Sequence, residues 1–197
     1  MAALTNKGLF YTEDLSSTLR VAQVLGLTST AFLAGKTFAA SFAAPALLLA
    51  PGPLLIKQWQ KIAEFDKIIN PAISVVGLGV FSFFAYRDPN PGSRHQILYT
   101  TAAALLATSI PYSFFLLHPI VEKLEEHAEV MAMDKFTDYV NPKDTTHVLV
   151  DRYATANLGR VFLSFMAAAT ATWAAADRLE IVPAVGKLVG GADRMGH

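Results

Sequence analysis

Apolar residues run along this chain in long blocks, not in the short alternations of a water-soluble fold. Val21–Ala50 contains one charge, Lys36, and Ile68–Tyr86 contains none. Gln96–Val121 holds no Asp, Glu, Lys or Arg, and Tyr153–Ala176 holds only Arg160. A helix that crosses a bilayer needs about 20 largely apolar residues. A soluble helix would show a polar outer face on every turn. Here Ile97–Leu117 is polar mainly through small Thr and Ser. The pattern predicts one membrane domain over residues 1–197, with spans at 21–45, 68–86, 96–118 and 153–177. The expected fold is all-α: an integral membrane four-helix bundle with a longer polar loop or short helix between helices 3 and 4.

The first block exceeds one plain span. Pro45 and the run Pro51-Gly52-Pro53 are expected to end or kink it. Asp88-Pro89-Asn90-Pro91-Gly92 reads as a tight turn. Pro119–Arg152 is polar and carries eight of the sixteen acids, and its start, Ile120–Met133, reads as an amphipathic helix. Asn141-Pro142 breaks the chain, and Asp144 is an expected N-cap. Met1–Arg20 lacks the basic start and apolar core of a signal peptide. The first helix is therefore expected to be an uncleaved anchor.

Composition narrows the classes. Hydrophobic residues make up 53% and charged residues 16% of the 197, where a soluble domain carries about 25% charged. Formal net charge is zero, without the basic excess of a nucleic-acid binder. No Cys is present, which excludes disulfides, thiolate metal sites and a Cys nucleophile. The basic residues outside the spans divide seven and seven between the two sides, so the positive-inside rule gives no orientation. The endoplasmic reticulum is the default membrane for an uncleaved anchor, ahead of the mitochondrial inner membrane. Ala31, Gly35, Ala39 and Ala43, then Gly77, then Ala167, Ala171 and Ala175 form small-residue stripes that let helices approach. They are expected to pack within the chain. A homo-oligomer or a larger membrane complex leaves the same signature.

Polar groups inside spans are costly and mark candidate sites. Tyr153, Asn157, Arg160 and Ser164 fall at helical spacing, hence on one face. Arg160 is read as part of an inward stripe, against snorkelling to the interface. Lys36 stands mid-block, where it would partner an anion or lie nearer the interface than the block suggests. His118 is a candidate general base, because histidine titrates near neutrality, or a helix-end cap. His118 and Glu122 are four apart, but no third ligand has a fixed spacing, so no metal is expected. Trp59 reads as an interfacial anchor, and Gln58 beside it as an amide able to orient a ring substituent. No glycine-rich phosphate loop and no dinucleotide fingerprint occurs.

These residues resemble the anthrone oxygenase family, small four-span membrane proteins of fungal polyketide pathways. The likeness spans roughly residues 20 to 177. It rests on Pro45 followed by Lys57-Gln58-Trp59, on Pro111-Tyr112, on Pro119 with Leu124, and on Tyr153, Asn157 and Arg160 in order. Ile120 and Val121 stand where the family often has Thr-Asn, and Tyr153 where it often has Trp. The resemblance implies a monooxygenase that converts an anthrone to a quinone with O2 and no added cofactor. It assigns His118 as base, with Arg160, Asn157 and Gln58 holding the enolate or phenol oxygens. Trp59, Tyr112 and Tyr153 would stack on the rings, and Lys36 would assist binding. The competing reading is a non-catalytic subunit of a membrane complex, with the acidic loop as docking surface. An enclosed cavity lined by these groups separates the two.

Overall fold

A computed structural model describes residues 17–88, 90–132 and 145–177. It is helical throughout: α1 Ser17–Leu47, α2 Gly52–Arg87, α3 Arg94–Tyr112, α4 His118–Ala132 and α5 Thr146–Asp177. The expectations for Asn141-Pro142, for Asp144 and for the first sixteen residues lie outside the described segments. Thr145 stands at the start of α5, where its hydroxyl accepts from Val148 N–H at 3.3 Å.

Prolines and turn residues set the ends. α1 stops two residues past Pro45, and α2 begins beside Pro51 and Pro53. The α2–α3 turn needs Gly92 at φ +81°, a left-handed conformation open to glycine. Ser93 then caps α3, accepting from Gln96 N–H at 3.0 Å.

α4 is not a separate loop helix. A π turn, Ser113–Leu117, joins it to α3 without a break. Its cause is local. Pro119 has no N–H, so it leaves both the Phe115 and the Phe114 carbonyl without a bond from that position. His118 N–H reaches back five residues to the Ser113 carbonyl.

α1, α2, α3 and α5 pack side by side, with α1 touching α2 and α5, and α3 touching the same two. α2, the continuous α3–α4 segment and α5 are each long and apolar enough to cross a membrane. α1 falls below that measure, since Gln23, Thr28, Ser29, Thr30, Lys36 and Thr37 dilute its hydropathy. Large apolar side chains, among them Phe42, Val75, Phe115, Phe162 and Trp173, point outward on every helix of the bundle. That is the arrangement of a membrane protein, apolar outside with its polar groups within.

Two apolar clusters fill the ends of the bundle. Leu19, Phe81, Phe84, Tyr99, Leu106 and Ala171 make one, and Leu55, Trp59, Leu117, Leu124, Leu149 and Tyr153 the other. Small residues allow the close contacts between helices. A Cβ on Gly77 would meet Leu106 Cδ1 and Thr30 Oγ1, both at 2.8 Å. Ala167 and Ala171 are buried as expected. The α1 stripe corrects the reading. Ala31, Gly35, Ala39 and Ala43 are all exposed, and nothing lies within 4 Å of a Cβ on Gly35. The buried face of α1 is instead Thr30, Leu33, Ala34, Thr37, Ser41 and Ala44.

Candidate active site

Between the two apolar clusters lies a polar layer, contributed chiefly by α1, α2 and α5. On α2 the buried face runs Trp59, Ala63, Asp66, Asn70, Ser74 and Gly77, in steps of three and four. On α5 it runs Tyr153, Asn157 and Ser164, with the Arg160 side chain only 12% exposed. Facing helices therefore bring their polar positions to one depth.

Asp66 is the centre of the layer. Lys36 Nζ of α1 pairs with Asp66 Oδ1 and donates to Asn70 Oδ1 at 3.1 Å. Arg160 Nη2 of α5 stands 3.7 Å from Asp66 Oδ2, an ion pair too long for a hydrogen bond. Three helices thus share one carboxylate. Asn157 is fully buried and ties α5 to α1, donating to the Thr37 carbonyl at 3.0 Å and to Ser41 Oγ at 2.8 Å.

A cavity of about 650 Å³ opens against this layer. Asp66, Asn70 and Arg160 line its inner wall with Tyr153, and Ser109, Ser113 and Leu117 come from the α3–π-turn side. His118, Glu122, Lys67 and Glu125 stand around its mouth, where Lys67 pairs with Glu125 across α2 and α4. The volume suits a small polycyclic ligand. Pro71 and the π turn both border the cavity. Pro71 takes the usual N–H from the Lys67 carbonyl, as Pro111 does for Ala107. The cavity lies where helical hydrogen bonding is interrupted.

Among the described residues, several buried polar atoms have no hydrogen-bond partner: Asn70 Nδ2, Arg160 Nε and Nη2, Asn157 Oδ1, Gln58 Oε1 and Trp59 Nε1. Unpaired buried groups are rare and costly. Of these residues Asn70 and Arg160 line the cavity, and their unpaired donors point to a ligand that completes them.

The remaining sequence candidates are placed as follows. His118 is not buried; its side chain is 60% exposed at the cavity mouth, with Nδ1 4.0 Å from Glu122 Oε2. Trp59 is not an interfacial anchor. It is 3% exposed and meets the Tyr153 ring edge to face at 5.9 Å. Tyr112 points its phenol at α5 and donates to the Ala156 carbonyl at 2.7 Å. A Cβ on Gly159 would collide with that ring. Tyr112 thus fastens α3 to α5 and does not line the cavity. Lys36 has its anion, Asp66.

A sequence profile of the anthrone oxygenase family matches residues 59–170, more than half of the chain. The chain belongs to the anthrone oxygenase family. No curated protein and no solved structure matches it. The matched segment runs from Trp59 to Thr170, so it contains Asp66, Asn70, His118, Tyr153 and Arg160. α1, with Lys36, lies before it.

Asp66 and Asn70 are the site residues that sequence reading missed in this member of the family. Lys61, Glu64, Asp66 and Lys67 crowd four charges into seven residues, which reads as a loop ahead of a span starting at 68. The signal that finds them is the interval pattern of Trp59, Ala63, Asp66, Asn70, Ser74 and Gly77, which continues one helical face through the charges.

Proposed function

We propose that this protein is a membrane-embedded oxygenase that converts an anthrone-type polycyclic ketone to a quinone with O2, requiring no added cofactor. The observation that carries this reading is the open-mouthed cavity whose inner wall combines Arg160 and Asn70 donors with the Asp66 ion pairs. The family membership supplies the reaction class.

The chemistry asks for few groups. The substrate methylene lies between two aryl rings and opposite a conjugated carbonyl, so its proton is acidic. His118 at the mouth takes that proton. Arg160 and Asn70 hold the enolate oxygen at the inner wall, where charge develops. The enolate gives an electron to O2, and a C–O bond forms to yield a substrate hydroperoxide once the proton returns. Loss of water breaks the O–O bond and the remaining methylene C–H bond. One oxygen atom stays as the quinone carbonyl and the other leaves as water. Tyr153 lines the cavity beside the rings and Trp59 backs it edge to face, while Gln58 and Asn157 lie outside the lining.

α1 serves as the fourth span in this reading. Its outward Val24, Phe32, Phe38 and Phe42 suit lipid, and its inward Lys36 and Thr37 join the polar layer. The multi-pass protein belongs in the endoplasmic reticulum membrane. Incubation of purified protein with an anthrone under air, followed by quinone absorbance, tests the reaction. Acceleration over buffer supports it, and a rate equal to buffer contradicts it.

A further inference from the structure

We propose that the cavity holds its bound ligand in ionised form, as the monoanionic phenolate or enolate of a polycyclic ketone, the anion balancing the Lys36–Asp66–Arg160 layer. The choice of a polycyclic ketone rests on the function proposed above; the charge state rests on the geometry alone.

The formal charges of the layer are two positive and one negative. All three side chains are largely buried, at 24%, 8% and 12% exposure for Lys36, Asp66 and Arg160. Such a surplus is costly in a low-dielectric interior, and an anion of matching charge removes the cost. The hydrogen bonds point the same way. Asp66 Oδ1 is taken by Lys36, and Asn70 Oδ1 accepts from the same ammonium. That leaves Asn70 Nδ2 and Arg160 Nε and Nη2 as buried donors without acceptors. The nearby serine hydroxyl oxygens accept from none of these donors. Ser74, Ser109 and Ser113 each donate within their own helix, to the Asn70, Leu106 and Ser109 carbonyls. A ligand oxygen bearing negative charge satisfies the donors and the surplus together, and a charged acceptor strengthens each bond.

Other titratable groups face the same cavity. Tyr153 of α5 lies on the inner wall, and α3 contributes no charged group to the lining. At the mouth Lys67 of α2 pairs with Glu125 of α4, while Glu122 and His118 are 76% and 60% exposed. Water and salt screen these outer charges far more than the inner layer. The inner surplus therefore governs a ligand seated at Asn70 and Arg160.

The test uses the full chain purified in a nonionic detergent and a hydroxyanthraquinone whose hydroxyl neighbours its carbonyl. This dye has no methylene to oxidise, and its phenolate absorbs at longer wavelength than its phenol. The apparent pKa of the protein-bound dye is expected about one to three units below its value in empty micelles, the shift that a neighbouring opposite charge produces. Lys36→Met and Arg160→Met should return it toward the micelle value, and Asp66→Asn should lower it further. Arg160→Lys keeps the charge and should retain most of the shift, which covers the case in which Arg160→Met fails to fold. A bound dye that titrates as in micelles overturns the proposal. So does a shift that survives in both charge-removing variants. Quinone formation without the shift refutes the anionic ligand alone, and the shift without quinone formation refutes the reaction alone.

Discussion

Asp66 of α2 and Arg160 of α5 face each other at 3.7 Å across the bundle interior, with Lys36 of α1 closing the triad from the third side. One carboxylate therefore holds three helices at the depth of the cavity. Breaking a buried pair by removing one partner costs about 3–5 kcal/mol, because the other charge is left uncompensated.

Asp66→Leu strands two cations and should lower the thermal unfolding midpoint in detergent more than any other change in the layer. Lys36→Met leaves Asp66 paired with Arg160 and should cost clearly less. Equal losses in the two variants would place the stabilisation elsewhere.

Asn157 donates two hydrogen bonds to α1. Asn157→Leu should destabilise by about 1 kcal/mol, in the range of interhelical hydrogen bonds within membranes. Asn157→Asp should do worse. It sets a carboxylate oxygen against the Thr37 carbonyl, which has no proton to give. Unfolding midpoints of the two variants check the order.

Gly159 and Tyr112 should couple in a double-mutant cycle. Gly159→Ala drives its Cβ into the Tyr112 ring and should cost about 1–3 kcal/mol as overpacking. In a Tyr112→Ala background most of that cost should vanish. An unchanged cost would mean that the ring is not what limits the site.

Two glycines separate inward from outward packing. Gly77→Ala must displace Leu106 or Thr30 and should lower stability. Gly35→Ala meets nothing within 4 Å and should leave the midpoint unchanged or raise it, as alanine favours the helix. A loss at Gly35 would mark a contact with a second chain on the exposed α1 stripe.

The sequence made the helices legible because apolar block length and proline position are local signals. Tyr153, Asn157 and Arg160 were legible for the same reason, since three- and four-residue intervals put them on one face whatever packs against it. What could not be read was pairing between helices. Lys36 signals a missing anion, but nothing in its own neighbourhood names Asp66, thirty residues on. The charges around Asp66 hid the first half of α2, because hydropathy averages over faces and this helix is polar on one side only there. The α1 stripe misled for the converse reason. A period of four marks a face, and the partner of that face is set by tertiary packing.

The most direct measurement is quinone formation from an anthrone under air by purified wild-type, Arg160→Ala and His118→Ala proteins, each verified as folded. Wild type should exceed the buffer rate, and Arg160→Ala should lose about 10²–10³-fold of that acceleration, as when a group holding a developing oxyanion is removed. His118→Ala should lose about 10²–10⁴-fold, the scale of a general base. Gly35→Ala, outside the cavity lining and free of contacts, should keep the wild-type rate. A wild-type rate equal to buffer, or full turnover in folded Arg160→Ala, would contradict the assignment of this cavity as the site of oxidation.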